Sequence, residues 1–365
     1  MSGKSLLLSP FQIGDVTLNN RIVISPMCQY SAVNGLANDW HLVHLGSRAV
    51  GGAGLIIQEA TAVSPEGRIS YGDLGIWEDA HIEPLKRIVD FVHSQGSNIG
   101  IQLAHAGRKA SCEKPWDGGG QIAPNLENGW ETIAPSAIAF NNEKHVPKAM
   151  NLEDIQSVLK DFKSAAQRAI EAGYDVIELH AAHGYLLHQF YSPLSNKRED
   201  NYGGSFENRI RLTLEAVETI QEVWGKQRAL MVRISATDWT EGGWSIEDSV
   251  RLSSILKSKG VHLIDTSTGG NVLADIPAKP NYQVPFSAQI REQASIATGA
   301  VGLINTPEQA EAILQAGEAD LVFIARESLR NPHFPLYAAH ILEGNSVEKW
   351  PNQYKRAYPA HGEWK

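Results

Sequence analysis

Residues 151–185 read NLEDIQSVLKDFKSAAQRAIEAGYDVIELHAAHGY. The amphipathic stretch Leu152–Ala172, rich in Ala, Glu and Lys, predicts a helix. Asn151 stands just before it with Asp154 three residues on, an N-terminal signal. Gly173 follows, where a left-handed C-cap residue is wanted. Tyr174–Leu179 is then a short apolar run of the kind that forms a parallel strand buried on both faces. Helix, glycine and buried strand together make one joint of a βα repeat.

Working outward, the same alternation recurs. Strand-like runs occupy Arg21–Ser25, Gly54–Gln58, Asn98–Leu103, Tyr174–Leu179, Leu230–Ile234, His262–Asp265, Ile296–Val301 and Asp320–Ile324. Further helices are predicted over Pro84–Ser94, Asn208–Val223, Ser245–Lys257 and Thr306–Ala316. Gly260 and Gly317 punctuate other helix-to-strand joints, and Thr306-Pro307-Glu308 reads as a helix start. Eight βα units over 365 residues predict an α/β fold, a single (β/α)8 TIM barrel spanning 1–365. A doubly wound sheet is the alternative, but it would leave surplus strands. Two polar stretches, Ser111–Met150 and Ser192–Glu207, follow the third and fourth strands and predict long loops at the catalytic face.

Composition narrows the function. Hydrophobic residues make up 42% and charged residues 20%, the balance of a globular enzyme. A net charge of -9 argues against a nucleic-acid partner, whose phosphates need clustered Lys and Arg. No run approaches a membrane span, and Met1–Pro10 is too weakly apolar for a signal peptide. Two cysteines, Cys28 and Cys112, exclude a disulfide framework and point to the cytoplasm.

Five segments carry the chemistry. His180, His183 and Tyr185 leave the fourth strand together. Two imidazole N–H groups can converge on one oxygen and stabilise charge there, and a tyrosine can donate a proton. Metal ligation and a structural role are the other readings of the histidines, although no third ligand lies close in sequence. The first strand exits through Ser25, Pro26, Met27, Cys28 and Tyr30, where Cys28 is either an inert thiol or a nucleophile lacking a base. Gln102 ends the third strand, followed by His105, Arg108 and Lys109; a Gln there can read a heterocycle's edge. Arg233 lies inside an apolar strand, so it meets either an acid or an anion such as a reduced flavin. Strands seven and eight end in Thr298-Gly299-Ala300-Val301-Gly302 and Ala325-Arg326, the usual place of a barrel's phosphate site.

In this order, these segments resemble the old yellow enzyme family, in its thermophilic-like, ene-reductase branch. The matching stretches are Asn20–Tyr30, Glu59–Thr61, Gly100–Lys109, His180–Tyr185, Ser192–Arg198, Tyr202–Ser205 and Phe206–Arg209, and the likeness runs from Leu8 to about Arg356. The resemblance implies bound FMN, NADPH (or NADH) as hydride donor, and reduction of the C=C bond of an enone, enal or related electrophile. It implies that Ser25, Pro26, Met27, Cys28, Ala60, Gln102 and Arg233 contact the flavin ring, and that Gly302, Ala325 and Arg326 meet its phosphate. Cys28 would then tune the flavin instead of attacking substrate. His180 and His183 would hold the substrate oxygen with help from Tyr30, and Tyr185 would give the proton. No metal is implied. Arg356 resembles an arginine that enters a neighbouring subunit's site, which implies a homodimer or homotetramer. The branch's Gly-Arg at the last strand is Ala325-Arg326 here, and the chain continues past Arg356. Two other chemistries fit less well. A dienoyl-CoA reductase needs more cysteines for its iron–sulfur cluster, and a phosphate-binding lyase needs a strand-end lysine or metal. A non-enzymatic binding protein leaves the histidine pair without a purpose.

Overall fold

In the computed structural model, which describes residues 5–344 and 346–359, eight parallel strands close into a barrel. They are β1 (Ile22–Ile24), β2 (Leu55–Ala62), β3 (Asn98–Ala104), β4 (Val176–Ala181), β5 (Ala229–Ser235), β6 (Leu263–Ser267), β7 (Ala297–Ala300) and β8 (Leu321–Ile324). Each pairs with its neighbours in sequence, and β8 pairs with β1 through Val322 opposite Ile22 and Ile324 opposite Ile24. Every residue of β2, β4, β5 and β6 is buried, which is why these strands read as continuous apolar runs.

Eight helices alternate with the strands: α1 (Asp39–Val50), α2 (Ile82–Ser94), α3 (Leu152–Ala172), α4 (Arg211–Trp224), α5 (Ile246–Ser258), α6 (Val284–Ala294), α7 (Pro307–Gln315) and α8 (Phe334–Glu343). The α3 start is a reciprocal cap: Asn151 accepts from the Asp154 N–H, and Asp154 accepts from the Asn151 N–H. Its end is Gly173 at φ +89°, the left-handed residue expected there. Ile155, Phe162, Ala165 and Ala169 of α3 are wholly buried in the largest apolar cluster, which lies between strands and helices.

The differences from the sequence reading are local. The helix expected over Asn208–Val223 is two, a turn at Phe206–Arg209 and then α4, hinged at Ile210. An antiparallel hairpin, Phe11–Ile13 with Val16–Leu18, precedes β1. The Ser111–Met150 loop carries a 3-10 turn at Pro115–Asp117, a bridge from Cys112 to Gln121 and a short pairing of Ile133–Ala134 with Lys148–Ala149. Among the described residues, no helix is long and apolar enough to cross a membrane.

Candidate active site

Register inside the barrel decides which polar side chains meet. Gln102 of β3 lies opposite Glu178 of β4, His180 opposite Arg233 of β5, and Arg233 opposite Asp265 of β6. Gln102 donates from Nε2 to Glu178 Oε1 at 2.7 Å, and Arg233 Nε stands 3.0 Å from Asp265 Oδ2. Glu178 and Asp265 are wholly buried. Burial pushes both carboxyls up, and for Glu178 the Asp265 charge adds to it. Arg233 Nε makes no well-angled hydrogen bond beyond its ion pair with Asp265, whereas Glu178 and Asp265 share a hydrogen bond. The arginine in the apolar strand therefore meets an acid, and its layer still holds unused hydrogen-bonding capacity.

Just beyond this layer, the rings of His180 and His183 stand edge to face with centroids 5.2 Å apart, and His180 and Tyr185 at 5.0 Å. The Ala182 N–H donates to His180 Nδ1 at 3.3 Å, so the proton of that neutral ring is on Nε2. Burial first, then the Arg233 charge, lowers both imidazoles well below their ordinary range, so they are uncharged donors. His183 holds φ +57°, and its N–H donates to Ser235 Oγ at 2.9 Å. Ser267 Oγ is 2.6 Å from His183 Nε2. Lys109 donates to the His183 and Gly270 carbonyls, and its ammonium lies 5.2 Å from the Tyr185 ring centre. Burial raises the Tyr185 phenol well above its ordinary value, so it keeps its proton.

The β1 exit forms the opposite wall. Ser25 is buried, with its N–H on the Ile324 carbonyl; Pro26, Met27, Cys28 and Tyr30 are half-buried. The Cys28 thiol is pushed well up by burial and by the Asp73 and Glu59 charges, and Tyr30 hydrogen-bonds it. A thiol held protonated is a poor nucleophile. Glu59 accepts the Gln29 N–H at 3.0 Å. A register shift in β2 between Gln58 and Ala60 turns buried Ala60 at the strand end.

Gly302, Ala325 and Arg326 line one small cavity of about 80 Å3 with Tyr282 and Asn305. Gly302 holds φ +136°, and a Cβ there would sit 3.2 Å from the Gln283 nitrogen. Arg326 is exposed and forms no ion pair among the described residues. Tyr282, which lines this cavity, feels the charges of both Arg326 and Arg233. This is a fit for FMN: an arginine and a glycine bend for the phosphate, and the buried, under-used Arg233 Nε–H for the ring. Gly299 does not belong to the cradle. It is in mid-strand, where a Cβ would strike the Phe323 ring at 2.2 Å. Arg356 is exposed on the turn Lys355–Ala357, next to Tyr354, which packs on His333. Among the described residues, no three His, Cys, Asp or Glu side chains are grouped to hold a metal ion.

The model of the NADH:flavin oxidoreductase / NADH oxidase family matches residues 6–345. The chain belongs to that family, the old yellow enzymes. NADPH dehydrogenase of Listeria innocua is 51% identical over 356 residues, covering 97% of this chain and 99% of the relative. NADPH dehydrogenase of Bacillus velezensis is 52% identical over 354 residues, covering 96% and 99%. Among solved structures, morphinone reductase superposes with TM-score 0.77 at 28% identity over 92% of this chain and 90% of its own. An old yellow enzyme homologue from Zymomonas mobilis gives 0.77 and 28% over 97% and 99%. This old yellow enzyme is thus an FMN-dependent NAD(P)H oxidoreductase. Sequence reading missed Asp73 and Ser267. It quoted Glu59, Glu178 and Asp265 without giving them a role.

Proposed function

We propose that this oxidoreductase reduces the C=C bond of α,β-unsaturated carbonyl compounds, enones and enals among them, with NADPH as donor and NADH as a possible substitute. Bound FMN, held by the residues named below, would supply the hydride chemistry that links the nicotinamide to the substrate's β-carbon. The observation that carries the reading is the edge-to-face trio His180, His183 and Tyr185 on one barrel rim. His180 offers Nε2–H to the carbonyl oxygen. Ser267 Oγ stands 2.6 Å from His183 Nε2 and donates to Gln283 Oε1 at a longer 3.3 Å, an oxygen that Thr268 also holds at 2.7 Å; turning the Ser267 hydroxyl to the ring leaves Nδ1–H as the second donor. Two neutral donors stabilise the negative charge that the oxygen gathers, and each contributes about 10²–10³ in rate. Tyr185 gives its proton to the α-carbon, and Tyr30 assists at the oxygen.

In this reading, Ser25, Pro26, Met27, Cys28, Ala60, Gln102 and Arg233 hold the FMN ring, and Gly302, Ala325 and Arg326 hold its phosphate. The chain works as one barrel domain in a homodimer or homotetramer, Arg356 reaching into the neighbouring site. The names of the two curated relatives support NADPH. An anaerobic absorbance spectrum tests the function. A yellow preparation that bleaches with NADPH and recovers with 2-cyclohexenone supports it; a bleached flavin that the enone leaves unchanged refutes ene-reduction.

A further inference from the structure

A second recess at the barrel mouth, of about 430 Å3, plays no part in this chemistry. It opens between the loops that follow β1, β2 and β3, and Arg68, Lys114, Tyr71 and Trp130 line it. The Arg68 guanidinium sits 4.8 Å from the Trp130 ring centre and 5.3 Å from that of Trp77, with its Nε on the Pro65 carbonyl. The Lys114 ammonium lies 5.1 Å from the Tyr71 ring centre and 5.9 Å from that of Trp116. Among the described residues, neither cation forms an ion pair with a carboxylate.

Two cations left without counter-ions in a concavity are conspicuous on a chain of net charge -9. Such a cleft concentrates anions. Arginine's planar fork matches phosphate oxygens in pairs, and lysine adds a point charge. The acids nearby are accounted for. Glu66 and Asp73 act on Arg68 from a distance, Asp73 is itself buried, and Asp117 accepts from the Tyr71 hydroxyl at 3.0 Å. The recess also adjoins the reaction centre. Trp116 meets Tyr30 edge-on at 6.1 Å, so the Lys114 ammonium is no more than 12 Å from the Tyr30 ring.

We propose that this recess holds the 2′-phosphoadenosine end of NADPH, Arg68 and Lys114 meeting the 2′-phosphate while Tyr71 and Trp130 wall in the adenine. The inference rests on the reading of NADPH as hydride donor. It also gives that preference a physical source. NADH carries a hydroxyl where NADPH carries the phosphate, so both cations would go unmatched.

The test is binding to the FMN-loaded enzyme, measured by calorimetry with 2′,5′-ADP and 5′-AMP as probes, alongside anaerobic reduction by NADPH and NADH. The expected result is tighter binding of 2′,5′-ADP than of 5′-AMP. Arg68→Gln and Lys114→Gln should each cut that preference about tenfold, the worth of one charge-assisted hydrogen bond. The ratio of apparent NADPH to NADH affinity should fall by a similar factor. Arg68 is wedged between indoles, so Arg68→Lys is the second variant: it keeps the charge, loses the fork and should lose part of the preference. Equal binding of the two probes, or an unchanged preference in both glutamine variants, overturns the inference whatever NADPH does to the spectrum. A preference that disappears in the variants, in an enzyme NADPH cannot bleach, upholds the recess and overturns the donor reading.

Discussion

The Tyr185 ring meets His180 edge-on and the Lys109 ammonium lies near its face, contacts that survive loss of the hydroxyl, so its removal costs the fold little. Tyr185→Phe should leave flavin reduction by NADPH intact and slow reoxidation by 2-cyclohexenone by about 10²–10⁴; stopped-flow measurement of the two half-reactions checks this. Asp73 supplies a prediction in pH. Burial pushes its carboxyl from 3.8 up to about 7, against the N–H groups of Ile69 and Ser70 that hold it down. Between those values the folded chain binds more protons than the unfolded one. Stability from this group is therefore full below pH 3.8, declines as pH rises and is gone above about 7. In Asp73→Asn the loss of stability from pH 5 to pH 8, followed by urea midpoints, should be smaller than in the parent. Residues such as His180 and Tyr185 were legible because they sit together at a strand end. Ser267 and Asp265 were not, because their partners lie on other strands or loops; Asp73 was not, because its local bonds to Ile69 and Ser70 announce only a turn and not its charge on Cys28.

The loops after β4 and β6 interlock through two glycines. A Cβ on Gly184, at φ +72°, would stand 2.1 Å from the Gly270 carbonyl oxygen, and one on Gly270 would stand 2.8 Å from the His183 backbone. Gly184→Ala must part these loops and move His183 and Tyr185 with them. It should cut enone turnover by a larger factor than it shifts the melting temperature, and a variant with normal turnover would show the loops can separate harmlessly. The strands themselves were legible from runs buried on both faces, and α3 from its cap and closing glycine. The first helix, α1, was not: in Asp39–Val50 His41, His44 and Arg48 share the buried face with Leu45 and Ala49, so its apolar stripe is broken. Likewise Phe11–Ile13 and Val16–Leu18 are three-residue strands, too short for alternation to register.

Across the whole molecule, the two arginines assigned to FMN sit on different strands, Arg233 on β5 and Arg326 just past β8, so the bound cofactor would staple the barrel across its mouth. FMN at about 100 times its dissociation constant should add about 2.7 kcal/mol to unfolding; a melting temperature that does not respond to added FMN would contradict the assignment. The barrel is sealed by Val322 lying against Ile22, about 300 residues apart in the chain. On the ribosome, at about 5–20 residues per second, β1 therefore waits some 15–60 s for its partner. Through that interval β1 shows one bare edge and the most recently made strand, finally β7, shows another, both lined with hydrogen-bonding groups that other chains could use. A nascent chain halted at Gly317, before β8, should be found with chaperones or in aggregates, whereas release of the finished chain closes both edges in one step.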